Sequence, residues 1–177
     1  MFSGSFVALV TPFRNGEVDE KKLCELVEFH VHNKTAGLVP CGSTGESATL
    51  THEEHHRVVE LVVEQARGRI PVIAGAGSNS TQEAISLTRH ARDCGAEAAL
   101  VIVPYYNKPT QAGITAHFSA VAENVSFPVI VYNIPGRTGV NMLPSTLLAL
   151  ARKYKNIAGV KESSGNLDQV SEIAVGV

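Results

Sequence analysis

The sequence predicts an α/β protein with a parallel sheet, and two patterns support that class. Short apolar segments rich in β-branched residues alternate six times with longer segments whose apolar residues recur every three or four positions. The short segments are apolar throughout instead of alternating with polar residues, which is typical of strands covered by helices on both faces. Alternation of this kind gives either a doubly wound sheet or a (β/α)8 barrel.

Each predicted strand is a short apolar run bounded by a glycine, a proline or a polar loop. The strands are expected at 6–10, 37–40, 70–74, 98–103, 128–132 and 157–160. The helices between them are indicated by residues that favour helix N-termini, including two capping boxes. These residues are Asp19, Thr51 with Glu54, Ser80 with Glu83, Thr110 and Pro144, and a last helix is expected through 167–173.

Polar loops follow nearly every predicted strand, as the active-site face of a barrel requires, and no phosphate-binding fingerprint dominates. We therefore expect a (β/α)8 TIM barrel, with residues 1–177 forming a single barrel domain. A barrel of this kind usually needs about 250 residues. The chain is thus expected to carry the first six βα units and to be truncated at its C-terminus, with exposed apolar edges at the first and sixth strands.

Composition narrows the function classes. Of the 177 residues, 44% are hydrophobic and 18% charged, and the net charge is −2 without runs of either sign, which does not suggest a nucleic-acid or membrane partner. The cysteines Cys24, Cys41 and Cys94 have neither disulfide-framework nor zinc spacing. No apolar run approaches the roughly 20 residues that span a bilayer. A cytoplasmic protein with reduced thiols is expected.

Two motifs resemble metal or cofactor sites, and neither is expected to be one. Residues 52–56 read HEEHH and match a zinc-protease pattern, but the capping box places them in the exposed first turn of a helix. Gly75 and Gly77 follow a strand, yet Ser80 stands where a dinucleotide fingerprint needs glycine. We therefore expect neither a metal nor a dinucleotide cofactor.

The residues most indicative of chemistry lie at the ends of predicted strands. Lys161 directly follows the sixth strand, where burial would lower the pKa of an amine and leave it able to attack a carbonyl carbon. Nearby hydroxyl groups can shuttle protons, and an arginine can bind a carboxylate through two hydrogen bonds. Each such residue alone is more often structural than catalytic, but together they favour an active site. They are Ser43, Thr44, Tyr105, Tyr106, Tyr132, Arg137 and Lys161.

Four motifs, in order along the chain, resemble a known family. They are GSTGES at 42–47, PYYNKP at 104–109, YNIPGRTG at 132–139 and GVKE at 159–162. The chain resembles the class I aldolase family of pyruvate-dependent lyases and synthases, and within it the dihydrodipicolinate synthase family. The resemblance implies an enzyme of lysine and diaminopimelate biosynthesis. Such an enzyme condenses pyruvate with L-aspartate 4-semialdehyde to 4-hydroxy-tetrahydrodipicolinate, and it uses no cofactor.

The resemblance also implies the catalytic residues. Lys161 would form a Schiff base with pyruvate, which loses a methyl proton to become an enamine nucleophile. Tyr132, Ser43 and Tyr106 would form a proton relay. Tyr106 would reach into the site of a neighbouring subunit, which implies a homotetramer built as a dimer of dimers. Ser43 stands where the family often has threonine, and the hydroxyl is retained.

Two further residues bear on the substrate. By resemblance, Thr44 would hold the pyruvate carboxylate and Arg137 the carboxylate of the semialdehyde. Relatives such as N-acetylneuraminate lyase share the GSTGE motif, the tyrosine and the lysine, but they differ after the fourth and fifth strands. Two alternatives stay open: such a sugar-acid lyase, and a non-catalytic barrel fragment that lacks the last two units.

In feedback-regulated members of the family, L-lysine binds at a subunit interface. Glu83 offers a carboxylate for an ammonium, and the imidazoles and Asn79 offer polar contacts. The alternative is that these are solvated side chains at two helix starts. The effector positions implied by the resemblance are Ser47, Ala48, His52, His55, Asn79, Glu83 and Tyr105.

Overall fold

The computed structural model describes residues 2–176 and contains the six predicted strand–helix pairs in the predicted order. In chain order the elements are β1 (Phe6–Ala8), β2 (Phe13–Arg14), β3 (Glu17–Val18), α1 (Glu20–His32), β4 (Gly37–Val39), α2 (His52–Ala66), β5 (Ile73–Gly75), α3 (Thr81–Asp93), β6 (Ala98–Ile102), α4 (Gln111–Asn124), β7 (Val129–Asn133), α5 (Pro135–Thr138), α6 (Pro144–Lys153), β8 (Ile157–Glu162) and α7 (Leu167–Gly176). The chain divides into two compact units. Unit 1 comprises the residues up to 75 together with 90–99, and unit 2 comprises 76–89 and the residues from 100 on.

Unit 1 is built on parallel strands. β1 pairs with β4 in parallel, with Phe6 opposite Gly37. β5 continues the row, since Gly75 N donates to Pro40 O over 2.9 Å. Parallel pairing brings the carboxyl ends of these strands to one edge, where the loops after them begin.

Helices α1 and α2 of unit 1 pack against each other through apolar residues spaced three or four positions apart. The predicted capping box at the start of α2 is confirmed. Thr51 Oγ1 accepts from Glu54 N, and the Glu54 carboxylate accepts from Thr51 N over 2.8 Å. The buried apolar residues of the two helices include Leu23, Val27, Val58, Val59 and Val62.

Unit 2 is also built on parallel strands. β7 and β8 pair in parallel, with Tyr132 opposite Lys161. The end of β6 joins them, since Val103 N donates to Tyr132 O over 2.9 Å. Helices α4 and α6 contribute a buried apolar set that includes Ile114, Phe118, Val121, Leu147 and Leu150. None of the helices in residues 2–176 is long and apolar enough to cross a membrane.

The second predicted capping box forms only one of its two hydrogen bonds as expected. Ser80 Oγ accepts from Glu83 N over 3.4 Å. Ser80 N, however, donates to Ser78 Oγ over 3.0 Å, and the Ser78 hydroxyl in turn donates to the Glu83 carboxylate. The buried Ser78 thus stands between the two residues of the box, which the local spacing did not indicate.

Two small elements escaped the sequence analysis. β2 and β3 form an antiparallel hairpin, with Arg14 opposite Glu17. Asn15 and Gly16 between them have φ angles of 55° and 88°. An Asn–Gly pair is a strong signal for such a turn, so this hairpin was predictable. α5, the other missed element, begins at Pro135, which suits the first turn of a helix.

The first and sixth predicted strands are less buried than the rest. All three residues of β1 are half-buried and only Ile157 of β8 is fully buried, whereas β4 and β5 are buried throughout. Both strands are thus less covered than the inner strands, in the direction expected for edge strands. The expectation that every strand is buried on both faces is wrong for β1 and β8, because each stands at the end of a strand row within the described residues.

Candidate functional site

Lys161 and Tyr132 meet at the carboxyl ends of β8 and β7. Their backbones are paired, and Lys161 Nζ lies over the Tyr132 ring at 4.5 Å from its centroid. The face of an aromatic ring attracts an ammonium, which holds the amine at the strand end. Tyr132 is only 6% exposed, but Lys161 is exposed. Within the described residues the amine therefore lacks the burial that the sequence analysis considered for it, because β8 itself is only partly covered.

Behind this pair lies a group of polar side chains that we call the Glu162 cluster. Glu162 and Asn133 directly follow Lys161 and Tyr132, so they point to the opposite face of the strands. Asn133 Nδ2 and Gln169 Nε2 each donate to Glu162 Oε2 over 2.9 Å. The cluster consists of Asn133, Asn141, Glu162 and Gln169, which hydrogen-bond to one another.

The Glu162 cluster fixes the positions of the strand ends. Asn133 Oδ1 accepts from Met142 N over 3.0 Å, and Glu162 Oε1 accepts from Ser164 N over 2.7 Å. Burial by itself raises the pKa of Glu162, but hydrogen bonds from Asn133, Ser164 and Gln169 outweigh it and lower the pKa below its ordinary value. Sequence reasoning missed this cluster, although polar residues at the ends of two apolar strands were a signal for it.

Tyr106 lies in the loop after β6, and it is 88% exposed. Its φ angle of 70° is in the left-handed region, which is uncommon for a residue other than glycine. The same loop packs against the one after β7, because a Cβ on Gly139 would lie 3.0 Å from Lys108 Cε. The backbone therefore presents the Tyr106 ring to solvent from a supported loop.

Arg137 lies in α5, directly after β7, and is exposed. Thr138 fixes this short helix, because its Oγ1 donates to Ile134 O over 3.1 Å and accepts from Val140 N over 3.4 Å. Gly139 ends the helix with a φ angle of 74°. The arginine is therefore carried by a rigid turn at the end of the strand that bears Tyr132.

In unit 1, Ser43 and Thr44 lie in the loop after β4, as predicted. Ser43 is half-buried and Thr44 is exposed. Ser43 O accepts from Glu46 N over 3.3 Å, and Thr11 Oγ1 donates to Gly45 O over 2.6 Å. The loop is a closed turn with two successive hydroxyl side chains at the end of a strand.

Close backbone approaches at glycines fix this loop. A Cβ on Gly75 would lie 1.9 Å from Cys41 O, and one on Gly45 would lie 2.9 Å from Leu9 O. Real Cβ atoms do not approach so closely, so both positions require glycine. Burial raises the pKa of the Cys41 thiol to about 12, which makes this cysteine a packing residue and not a nucleophile.

The implied effector positions are divided between the two units. In unit 1, Ser47 and Ala48 belong to the loop before α2, and His52 is exposed in the first turn of that helix. In unit 2, Asn79 Nδ2 donates to Tyr105 O over 3.3 Å. Both of these residues are half-buried, as is Glu83.

His55, the remaining effector position, is 6% exposed and not solvated. Its place in an exposed turn was a wrong prediction, because it lies one turn before Val58 and Val59 on the core face of α2. Burial, and then the neighbouring His56 and His90, lower the pKa of His55 to about 4. The imidazole is therefore neutral near pH 7, and the helical spacing of its apolar neighbours was a signal for its burial.

Parallel strand–helix units with a lysine over a tyrosine at the strand ends define an α/β protein of the class that gathers its functional groups at the carboxyl ends of its strands. The chain belongs to the dihydrodipicolinate synthetase family, whose model matches residues 1–177. A 4-hydroxy-tetrahydrodipicolinate synthase from Geotalea uraniireducens (strain Rf4) is 61% identical over 173 residues, which are 98% of this chain and 59% of that relative.

Solved structures of the family have the same fold. The chloride-inhibited dihydrodipicolinate synthase from Acinetobacter baumannii complexed with pyruvate is 46% identical, with a TM-score of 0.95 over 100% of this chain and 62% of that one. The enzyme from Cyanidioschyzon merolae with lysine bound is 44% identical, with a TM-score of 0.96 over 99% of this chain and 60% of that one. The TIM-barrel fold class is confirmed, and the chain spans about 59% of the length of the curated relative from Geotalea.

Proposed function

We propose that this chain carries the Schiff-base centre of a 4-hydroxy-tetrahydrodipicolinate synthase, which joins pyruvate to L-aspartate 4-semialdehyde in the cytoplasm. The observation that carries the proposal is Lys161 Nζ lying 4.5 Å from the centroid of the Tyr132 ring at paired strand ends. An amine beside a phenol can attack a carbonyl while the phenol moves protons. The relative from Acinetobacter baumannii binds pyruvate, the carbonyl compound that this chemistry requires.

The reaction follows from the amine of Lys161. The amine attacks the carbonyl carbon of pyruvate, and loss of water leaves an iminium ion. The positive nitrogen makes the methyl group of pyruvate more acidic. Loss of a proton from that methyl group converts the iminium ion into an enamine. The enamine carbon attacks the aldehyde carbon, and the aldehyde oxygen takes up a proton. The amino group of the product then displaces Lys161 as the ring closes, so the sequence of steps needs no external cofactor.

The polar loops supply the remaining roles in this proposal. Tyr132, Ser43 and Tyr106 relay protons between the reacting atoms and solvent, because each carries a hydroxyl at or after a strand end. Thr44 holds the pyruvate carboxylate. Arg137, on its rigid turn, binds the carboxylate of the semialdehyde through two charge-assisted hydrogen bonds.

Reduction with borohydride in the presence of pyruvate, followed by peptide mapping, tests the Schiff base. We expect a reduced pyruvyl adduct on Lys161 and none in the Lys161→Arg variant. Lys153 is a matched control, because its Nζ lies 4.7 Å from the centroid of the Tyr154 ring but on a helix end. An adduct that survives Lys161→Arg and disappears in Lys153→Arg, or no adduct at all, contradicts the proposal.

The choice of aldehyde rests on Arg137. An Arg137→Ala variant should raise the KM for the semialdehyde by roughly tenfold to a hundredfold, since a hydrogen bond to a charged group is lost. Adduct formation with pyruvate should not change. Arg152→Ala, which removes an arginine from α6, is the control. If Arg137→Ala keeps full activity with the semialdehyde and the chain accepts a sugar-acid aldehyde instead, the function is that of the related lyases.

The same proposal includes assembly, with Tyr106 inserted into the site of a second copy. An aromatic side chain 88% exposed on a supported loop suits such an insertion. Sedimentation should give a defined dimer or tetramer, which Tyr106→Ala weakens and Phe29→Ala does not, although Phe29 is also an exposed aromatic residue. A polydisperse species without turnover favours the non-catalytic fragment.

We also propose L-lysine as an effector of this chain, since the relative from Cyanidioschyzon merolae binds lysine. The carboxylate of Glu83 can pair with an ammonium, and Asn79 and Tyr105 already lie in contact. Calorimetric titration should give saturable L-lysine binding that Glu83→Gln weakens and Glu53→Gln does not. Absence of binding at millimolar L-lysine contradicts this proposal.

A further inference from the structure

Unit 1 contains a compact group of three possible metal ligands that the proposed reaction does not use. Glu60 lies in the third turn of α2, and His90 and Cys94 lie one helical turn apart at the end of α3. One ligand atom from each residue lies within 4.8 Å of the other two. We call this group the Glu60–His90–Cys94 cluster.

The distances within the cluster suit one cation. Cys94 Sγ lies 3.3 Å from His90 Nε2, and His90 Nε2 lies 3.8 Å from Glu60 Oε1. With metal–ligand bonds of about 2.0–2.3 Å at tetrahedral angles, two ligand atoms of a zinc site lie roughly 3.3–3.6 Å apart. The first of the two separations therefore lies within this range, and the second exceeds it only slightly.

The backbone of the cluster is already ordered. Cys94 N donates to His90 O over 2.9 Å, so the helical geometry that places the two side chains on one face extends to the cysteine. The His56 ring packs on the His90 ring, with centroids 3.9 Å apart, and restricts its rotation. All three ligand residues are half-buried, so an ion can reach them.

The donor atoms select the class of cation. A thiolate, an imidazole and a carboxylate together suit Zn²⁺, whereas Mg²⁺ and Ca²⁺ prefer oxygen ligands alone. A bound cation favours the thiolate form of Cys94, because its charge attracts the negative sulfur.

We propose that Glu60, His90 and Cys94 bind one zinc-class divalent cation, with a water molecule as the fourth ligand. The ion links α2 to the end of α3 within unit 1 and so acts as a structural clamp. The HEEHH motif is not this site, because neither His52 nor Glu53 belongs to the cluster. The three cysteines lack the spacing of a zinc site, and this agrees with the proposal because only Cys94 is a ligand.

Titration of the chain with Co²⁺ tests the site, since Co²⁺ occupies zinc sites and a bound thiolate gives a charge-transfer band in the near ultraviolet. We expect that band to saturate at one equivalent and Zn²⁺ to displace the cobalt. Cys94→Ser should abolish the band. Glu60→Gln and His90→Gln should weaken binding by at least about tenfold, as loss of a ligand costs at least as much as loss of a supporting contact.

Matched controls exist for two of the ligands. Cys24→Ser removes another half-buried thiol of unit 1, and Glu64→Gln removes the carboxylate one turn further along α2. Neither should change the titration. A band that persists in Cys94→Ser, or one that disappears in Cys24→Ser or His52→Gln, overturns the proposal, as does an absence of binding by the unsubstituted chain.

A second measurement separates this site from folding defects and from the proposed reaction. Zn²⁺ should raise the Tm of the unsubstituted chain and of Cys24→Ser, and should raise that of Glu60→Gln by less, although this conservative change leaves the helix intact. Pyruvate adduct formation on Lys161 should be equal in Cys94→Ser and the unsubstituted chain. Equal Zn²⁺-induced Tm shifts in Glu60→Gln and the unsubstituted chain contradict the clamp.

Discussion

The Ser43–Thr44 loop of unit 1 and the Lys161 strand end of unit 2 hold their functional groups by different means. The loop is fixed by main chain packed against main chain, with no space for a Cβ at Gly75 or Gly45. The strand end is fixed by side chains, since the Glu162 cluster ties β7, β8 and α7 together. A loop of the first kind is sensitive to added atoms, and a site of the second kind is sensitive to lost hydrogen bonds.

Gly75→Ala should have the largest effect. Its Cβ would lie 1.9 Å from Cys41 O, so backbone must move, and we expect a loss of about 3 kcal/mol or more in the free energy of unfolding. Gly42→Ala, in the loop against which Gly75 packs, is the control, because nothing lies within 4 Å of its Cβ; its change should stay within about 0.5 kcal/mol. Denaturant unfolding measures both. Equal effects would mean that backbone contact does not fix this loop.

Lowering the pH should reduce the free energy of unfolding of both units, because each contains a buried histidine. Burial lowers the pKa of His55 and of His117 from 6.5 to about 4. For each histidine the pKa in the folded state lies below that in the unfolded state, so between about pH 6.5 and 4 only the unfolded state binds the proton. The contribution of each neutral histidine to the free energy of unfolding is therefore complete above about pH 6.5 and is lost as the pH falls towards 4. The loss is about 3 kcal/mol for each group.

Unfolding measured between pH 7 and 4 checks this prediction. His55→Gln and His117→Gln should each flatten the pH dependence, whatever they do to stability at pH 7. His32→Gln, at the exposed end of α1, should leave it unchanged. A pH dependence that persists in both buried variants would place the acid sensitivity in the carboxylates of the chain.

Asn133→Leu should destabilise unit 2 by about 2 kcal/mol, because it leaves the Glu162 carboxylate and Met142 N without one partner each. The matched control is Asn107→Leu, at an exposed loop position of the same unit, and its effect should stay within about 0.5 kcal/mol. Urea unfolding gives both values. A tolerated Asn133→Leu would mean that strand pairing alone aligns Lys161 with Tyr132.

Loss of a helix cap should have the smallest effect. Thr51→Ala should cost about 1 kcal/mol, since the capping box loses the bond to Glu54 N. Thr110, which caps α4 through a single bond to Gly113 N, is the counterpart in unit 2, and Thr110→Ala should cost no more. Thermal unfolding of the two variants compares them. A larger loss of stability in Thr110→Ala than in Thr51→Ala would contradict the prediction that a capping box stabilises a helix at least as much as a single cap bond.

Local sequence patterns determined the type and the order of most strands and helices of this protein. Apolar runs and capping residues predicted six strand–helix pairs and their order, because a short segment carries its own preference for strand or helix. Lys161 and Tyr132 were both assigned to strand ends, and Ser43 and Thr44 to the loop after β4. The Asn15–Gly16 turn was equally local and could have been predicted from its two residues.

Only the tertiary structure decided which distant residues meet. The Glu162 cluster joins residues up to 36 positions apart, from Asn133 to Gln169, and the Glu60–His90–Cys94 cluster joins two helices. The exposure of Lys161 depends on which neighbouring elements cover it. The physical reason is that hydrogen-bond preference and side-chain spacing act within a few residues, whereas burial and contact between segments are set by packing of the whole chain.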